Sequence, residues 1–117
     1  MLHPGDDTQG YVELVKGIRM KTVVYGQKTL TAKFRLKKGA VLPRHLHPHE
    51  QTGYMIAGRI EFVIDGHTHT AVSGDTWCIE GNVEHGATVI EDSEIIEVFS
   101  PVRIEYLPEN LAASAGR

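Results

Sequence analysis

The sequence has a single cysteine, Cys78, among its 117 residues, so no disulfide can form within the chain. No apolar run approaches the roughly eighteen residues that a membrane-spanning helix needs, and no charged-then-apolar leader typical of a signal peptide begins the chain. Lys and Arg together number 12 against 15 acidic residues, and no basic run is present. We therefore expect a cytoplasmic protein whose partners include neither nucleic acid nor a membrane.

Helical periodicity is also missing before the C-terminus, where short β-like runs separated by glycine occur instead. A chain of this length holds one hydrophobic core, which predicts a single all-β domain over residues 1–117, a sandwich or a barrel. Residues 108–117 are predicted to be a frayed helical turn or a tail. The predicted strands are Tyr11–Val15, Ile18–Tyr25, Thr29–Leu36, Thr52–Ile56, Arg59–Ile64, Thr68–Val72, Thr76–Ile79, Ala87–Ile90 and Glu94–Phe99.

Histidine, in contrast, is frequent, with seven residues in the chain. Alternate residues of a strand share a face, so His45 and His47 are predicted to project to one side roughly 7 Å apart. Gln51 has the same parity, and His85 follows 34 residues after it. Imidazole suits transition metals, and an amide oxygen adds a neutral donor. We therefore predict one divalent transition metal ion (Ni, Zn, Mn or Fe), held by His45, His47, Gln51 and His85.

The remaining histidines are predicted to lie outside the ligand set. His49 is one position off the ligand face, and we expect it beside the ligands or at the rim of the site. His67 and His69 follow an Asp-Gly hairpin turn, which favours solvent-exposed strand positions. Cys78 lies between two apolar residues and is predicted to be a small buried residue, not a nucleophile.

The neutral ligand set has chemical consequences. Three imidazoles and one amide leave a divalent ion its full charge, which makes the ion a stronger Lewis acid than a set containing a carboxylate would. An octahedral ion would keep two open positions for substrate or water. Because coordination requires neutral imidazoles, we expect metal to be lost as the pH falls through about 6.

A second group of candidate residues lies near the C-terminus. The run Glu94–Phe99 is apolar on both parities apart from Glu97, which predicts a strand buried on both faces with one carboxylate inserted. If Glu97 faces a cavity, burial would raise its pKa and make it a candidate general acid or base; the alternative is a solvated or lysine-paired carboxylate. Arg103 is either the partner of a substrate carboxylate or a surface arginine.

Two glycine-framed blocks connect the predicted ligands with a known family. Gly39 lies six residues before His45, Gly58 lies seven after Gln51, and a second block runs from Gly74 to His85. These blocks resemble the two motifs of the cupin superfamily, with Gln51 at the acid position of the first. The resemblance covers residues 30–103 and implies a double-stranded β-helix, or jelly-roll β-barrel, with the metal in its mouth. By analogy with small cupins it also implies a homodimer.

Within that family, the string His-Leu-His-Pro-His-Glu-Gln, the distant His85 and the run Glu97-Val-Phe-Ser-Pro-Val-Arg103 resemble the KdgF group. The resemblance implies an enzyme of pectin or alginate breakdown. Its substrate would be a small carboxylated sugar, a 4,5-unsaturated monouronate, which it converts to the linear 4-deoxy-5-keto form. It further implies that Glu97, which replaces the usual aspartate, moves the proton, that Phe99 packs against the sugar ring, and that Arg103 holds the carboxylate. Tyr54, Arg59 and Trp77 are left outside the predicted site.

Two alternatives are compatible with the same residues. Three histidines around Fe(II) with open positions are also typical of a dioxygenase that binds substrate and O₂ together. A non-catalytic domain that binds a sugar or an effector is the other alternative. Metal exchange separates the first alternative from a proton-transfer enzyme, and tight binding of unchanged ligand would favour the second.

Overall fold

The computed structural model describes residues 1–114, most of which belong to eight β-strands. A 3₁₀ turn at Ile104–Tyr106 and a short helix, α1, at Pro108–Ser114 follow the last strand. Within the described residues, no helix is both long and apolar enough to cross a membrane. The strands are β1 (Val12–Val15), β2 (Ile18–Tyr25), β3 (Leu30–Leu36), β4 (Val41–His45), β5 (Glu50–Ile64), β6 (His67–Val72), β7 (Thr76–Ile79) and β8 (His85–Ser100).

Two long antiparallel strands, β5 and β8, organise the fold. They pair from Glu50 opposite Ser100 to Ile64 opposite His85. The first part of β5 also pairs with β7 and its last part with β6, while β8 pairs first with β4 and then with β3. Two layers result, β1-β2-β3-β8-β5-β7 and β4-β8-β5-β6, which share the two long strands. This arrangement confirms the predicted all-β jelly-roll fold.

The core fills the space between the layers and follows the two-residue alternation of the strands. On β3 every second residue from Leu30 to Leu36 is buried. On β8 the buried positions continue through Ile95 and Phe99, with Glu97 between them. The outward positions of this part of β8 are half-buried. The prediction that Glu94–Phe99 is buried on both faces is therefore wrong, because only the inward face meets the core.

Gly58 does not end a strand, contrary to the prediction of two strands at Thr52–Ile56 and Arg59–Ile64. It lies inside β5 with φ +103°, at a shift of register opposite the bend of β8. A Cβ at this position would lie 2.2 Å from the Ser93 hydroxyl oxygen, so the close approach of the two strands requires glycine. The Ser93 hydroxyl accepts a hydrogen bond from the Arg59 N–H at 3.0 Å, which maintains the pairing across the bulge.

The sequence-based prediction also missed β4, because Pro43 reads as a strand breaker. The pairing of β4 with β8 shifts register between Leu42 and His45, so the proline sits at an irregularity where no ladder N–H is needed. His45 is the last residue of β4, and His47 lies in the connection to β5. The prediction that both histidines project from one strand is therefore wrong.

Two further expectations have different outcomes. Cys78 is exposed, not buried as predicted, because Trp77 and Ile79 take the inward positions of β7 and the alternation turns Cys78 outward. His67 and His69 are exposed on β6, as predicted, after a turn in which Asp65 and Gly66 both have positive φ. In the C-terminal segment, Pro108–Ser114 form the helical alternative; residues 115–117 lie outside the described part of the chain.

Candidate metal centre

Three histidines from different parts of the chain meet at one end of the barrel. His45 at the end of β4 lies opposite His85 at the start of β8, and the β4–β5 connection brings His47 beside them. Ring centroids are 4.3 Å apart for His45 and His85, and 5.0 Å apart for His47 and His85. The potential ligand atoms of the three side chains all lie within 4.8 Å of one another. These residues can hold a metal ion.

A backbone contact fixes the connection that carries His47. Asn82 has φ +65°, and its N–H donates to the His47 carbonyl at 2.7 Å. Gly81 is packed so closely that a Cβ there would lie 2.3 Å from the Pro48 carbonyl oxygen. Asparagine is one of the few residues other than glycine that tolerate this left-handed backbone conformation. The turn before β8 therefore holds His47 in register with the other two rings.

The hydrogen bonds of the imidazoles point their second nitrogens at one another. Each Nδ1 contacts a backbone carbonyl: that of Pro43 for His45 at 2.9 Å, that of His49 for His47 at 3.1 Å, and that of Val83 for His85 at 2.8 Å. A carbonyl only accepts, so Nδ1 of His45 and of His85 carries the proton and their Nε2 atoms keep a lone pair. In His47 both ring nitrogens face an oxygen acceptor. The Nε2 of His85 is buried and has no hydrogen-bond partner among the described residues. Such outer hydrogen bonds are typical of metal-binding histidines.

Gln51 contacts this cluster through its side-chain amide. Its Oε1 lies 2.8 Å from His47 Nε2, and its Nε2 donates to the Glu97 carboxylate at 2.6 Å, which fixes the orientation of the amide. A neutral imidazole has one N–H, so His47 cannot donate to both His49 and Gln51. With the His47 proton on Nδ1, as in the other two histidines, two lone pairs face each other across 2.8 Å. Neighbouring ligands on one metal ion lie about 3 Å apart for bonds of about 2.1 Å, so a cation between them fits this contact.

Burial keeps the imidazoles neutral. His47 is 8% exposed and His85 is 3% exposed. Burial lowers the pKa of His47 to about 4, with the charge of Arg103 as the next cause. Burial also lowers the pKa of His85. Both rings are therefore ready to ligate at neutral pH, and the residues present fit a divalent transition metal.

Glu97 is buried next to this cluster, at 6% exposure. Its Oε2 accepts hydrogen bonds from the Gln51 amide at 2.6 Å and from the indole Nε1 of Trp77 at 2.9 Å. Burial is the main cause that raises the pKa of Glu97, and the two hydrogen bonds oppose it. The alternative of a solvated or lysine-paired carboxylate is thereby excluded. The carboxylate instead lines the same cavity as His45 and His85.

Arg103 enters the cavity beside two aromatic rings. Its guanidinium carbon lies 4.2 Å from the ring centroid of Tyr106 and 5.2 Å from that of Phe99. The two rings themselves are 5.3 Å apart, nearly perpendicular. Burial raises the pKa of Tyr106 to about 12, so its phenol stays neutral. Arg103 is therefore a cation positioned within the cavity by its aromatic neighbours, and not a surface arginine.

The cavity measures about 400 Å³, in the range of pockets that take small ligands. His45, Gln51, His85, Glu97, Arg103 and Tyr106 contribute its polar groups. Apolar side chains such as Leu36, Ile60 and Ile95 form much of the remaining wall. Charges concentrated in one part of such an apolar cavity act on a ligand more strongly than they would in water.

The structure brings all seven predicted site residues to this region, and two more that the prediction did not include. Trp77 was left outside the site and contacts Glu97, while Tyr106 was not considered. His49 lies beside the ligands as expected, with its ring centroid 5.4 Å from that of His47. Tyr54 and Arg59, also left outside, are exposed. Nothing in the sequence around Trp77 indicates that it belongs to the site. Tyr106, in contrast, follows Arg103 by three residues, and this spacing could have been used to include it.

Comparison with known proteins identifies the family. Residues 32–100 match the cupin domain model. The pectin degradation protein KdgF of Dickeya dadantii is 33% identical over 104 residues, which cover 87% of this chain and 94% of that protein. The chain belongs to the cupin family.

Solved structures agree with this assignment. The structure of KdgF from a Halomonas species superposes on this cupin with a TM-score of 0.80 at 30% identity, covering 85% of this chain and 92% of that one. An RmlC-like cupin from Shewanella frigidimarina superposes with a TM-score of 0.84 at 24% identity, covering 92% and 97% of the two chains. The second likeness supports the fold only. The first makes this cupin a homologue of a pectin degradation protein.

Proposed function

We propose that this cupin is a metal-dependent enzyme that opens the ring of 4,5-unsaturated monouronates, the monomers released from pectin or alginate. The observation that carries the proposal is the convergence of the metal-binding cluster, the buried carboxyl of Glu97 and the cation of Arg103 on one cavity. The likeness to KdgF proteins supports the same substrate class. His45, His47, Gln51 and His85 are proposed as the metal ligands.

The charges of the cavity suit a uronate. Arg103 presents a planar guanidinium, which matches the two oxygens of a carboxylate, and the rings of Tyr106 and Phe99 pack beside it. Phe99 is 1% exposed in the structure and adds a flat apolar surface next to that cation. We propose that the substrate carboxylate binds Arg103, which places the sugar ring against Phe99 and within reach of Glu97.

The reaction is an isomerisation, so protons move but no atoms are gained or lost. The bond between C1 and the ring oxygen breaks as the C1 hydroxyl gives up its proton, which leaves an aldehyde at C1 and an enolate at C5. A proton added at C4 then converts the enolate to the 5-ketone. Glu97 is the proposed carrier of this proton from the C1 hydroxyl to C4, since burial raises the pKa of its carboxyl and so makes it a better proton acceptor than an exposed glutamate. The metal, when bound, supplies Lewis-acid stabilisation of negative charge on oxygen.

The ultraviolet absorbance of the conjugated double bond gives a direct assay. Protein loaded separately with zinc, nickel or manganese, chelated protein, and the Glu97→Gln variant are compared with buffer. Loss of absorbance that is accelerated only when both metal and Glu97 are present supports the proposal. No acceleration with any loaded metal would refute it.

Two controls separate this activity from the alternatives. Ring opening consumes no O₂ and should proceed at the same rate under anaerobic conditions, whereas a dioxygenase would stop. A binding domain would retain unchanged uronate, so the ¹H spectrum of the sugar after incubation must show the linear product. The homodimer and the cytoplasmic location stay predictions.

A further inference from the structure

Trp77, Gly53 and Glu97 form a row across three neighbouring strands. Gly53 of β5 is the register partner of Trp77 on β7 and, on its other side, of Glu97 on β8. Because the middle residue has no side chain, the indole of Trp77 lies over β5 and reaches the third residue of the row. Its Nε1 donates to Glu97 Oε2 at 2.9 Å. The indole thereby spans a strand to contact the proposed proton carrier.

The fit of the indole over Gly53 is close. A Cβ at Gly53 would lie 2.1 to 2.3 Å from three atoms of the indole ring, distances at which the ring would have to move. On its other side the indole packs against Phe62, with ring centroids 4.8 Å apart. The side chain is therefore held between a backbone and an aromatic ring, and the direction of its N–H is fixed.

The two hydrogen bonds to Glu97 use the same oxygen. Trp77 Nε1 and Gln51 Nε2 both donate to Oε2, and neither bond involves Oε1. An oxygen that accepts two N–H bonds has its lone pairs occupied, so a proton on this carboxyl belongs on Oε1. Which oxygen carries the proton is therefore set by the two donors.

We propose that Trp77, seated on Gly53, is a positioning residue that fixes Glu97 so that Oε1 is the oxygen that exchanges protons with the substrate. The inference rests on the proposed ring opening and names a residue that acts on the reaction through Glu97. Gln51 alone would hold Oε2 by a single hydrogen bond. The indole adds a second donor to the same oxygen, from β7, and so restricts the movement of Oε2 further.

The Trp77→Phe variant tests this role because it keeps an aromatic ring at this position and removes the N–H together with the pyrrole part of the indole. A misplacement of about 1 Å at a reacting group lowers rates about 100-fold, so we expect kcat to fall between about 10-fold and 100-fold. The KM and the metal content should stay close to those of the wild type, whereas the Tm should fall because the smaller ring leaves a cavity. Gly53→Ala displaces the ring by sterics and should lower kcat in the same way if the variant folds.

Tyr54→Phe is the matched control, since it removes one polar group from an exposed aromatic residue of the same strand as Gly53. Its kcat should equal that of the wild type. A Trp77→Phe variant with unchanged kcat would overturn the inference while leaving the ring-opening activity established. A variant that loses metal, or whose KM rises as much as its kcat falls, would also overturn it, because the indole would then be a structural residue.

A second measurement is independent of turnover. Trp77 is the single tryptophan of the chain, so the ¹H–¹⁵N spectrum of zinc-loaded protein has one indole N–H peak. A hydrogen bond to the carboxyl should move this peak downfield and slow its exchange with D₂O, and Glu97→Gln should shift it. If the wild type fails to open unsaturated uronates, this peak still decides the contact. An indole peak that is unchanged by Glu97→Gln would refute the contact itself.

Discussion

Replacing Arg103 by lysine isolates the geometry of the proposed carboxylate site, because the charge is kept and the planar fork is lost. In the structure the Arg103 side chain is 14% exposed, and its guanidinium lies beside the rings of Tyr106 and Phe99. An ammonium in the same place can reach one carboxylate oxygen well but cannot pair with both in parallel. The substitution should therefore weaken substrate binding without moving the proton carrier.

The size of the effect follows from the number of hydrogen bonds lost. A hydrogen bond between charged groups contributes about 1.5 to 3 kcal/mol, so losing one of two should raise KM about 10-fold to 150-fold. The kcat should change far less, since Arg103 is not proposed to transfer a proton. Arg103→Ala, which removes the charge as well, should raise KM further.

Initial rates on the unsaturated monouronate and on its methyl ester provide the assay. The ester has no negative charge, so it cannot form the charge-assisted hydrogen bonds to Arg103. The KM values of the wild type and of Arg103→Lys for the ester should therefore differ by no more than about twofold. Arg59→Lys is a matched control, because Arg59 is exposed and lies outside the cavity. Its Nε is 3.7 Å from the Glu91 carboxylate. An unchanged KM for the acid, or an equal rise for acid and ester, would refute the reasoning.

Three other predictions concern the metal and the buried acid. Chelation should lower Tm by about 10 °C, since an ion at 100 times its Kd stabilises a folded protein by about 2.7 kcal/mol. Thermal unfolding with and without zinc tests this, and the Tm of a His85→Ala variant should not respond to zinc. Metal should be released at a lower pH than the value of about 6 expected for ordinary imidazoles, because burial lowers the pKa of His47 to about 4. Metal content after equilibration at pH 5 measures it, and release already at pH 6 would contradict it. Burial raises the pKa of Glu97, so its ionisation lowers the free energy of unfolding of the apoprotein as the pH rises. Glu97→Gln should therefore raise the Tm of the apoprotein at pH 7. This gain should vanish below the ordinary glutamate pKa of 4.5. A Tm gain that persists at pH 4 would exclude this cause.

The fold was largely predictable because the spacing of the glycines and histidines in the sequence is typical of it. The glycine frames around His45 and His85 mark the segments that meet at the site. The inward face of β8 was not predictable in this way, because Glu94–Phe99 is apolar on both parities apart from Glu97. The prediction was wrong where one local signal competes with pairing. Gly58 reads as a turn in isolation, yet the long β5–β8 pairing carries the strand through it as a bulge. Pro43 reads as a breaker, yet β4 shifts register at that point.

The site was predictable in its members but not in its connections. Residue types and spacing single out His45, His47 and His85 without a structure. No local pattern, however, shows that β7 pairs with β5 at Gly53, because that register depends on contacts 24 residues apart in sequence. The contact between Trp77 and Glu97 follows from this register alone. The exposure of Cys78 follows from the same register, because Trp77 points inward and adjacent residues of a strand point to opposite faces.

The same contacts explain why the first cupin motif has an amide where an acid is usual. Gln51 faces His47 with its oxygen and Glu97 with its nitrogen, so it joins the metal cluster to the proposed proton carrier. A carboxylate at this position would meet that of Glu97 at about the 2.6 Å now spanned by an N–H···O bond. At an effective dielectric constant of about 20, two such charges repel by about 6 kcal/mol, unless a proton is trapped between them. The acid on β8 therefore requires a neutral donor on β5, and the two positions are one functional unit.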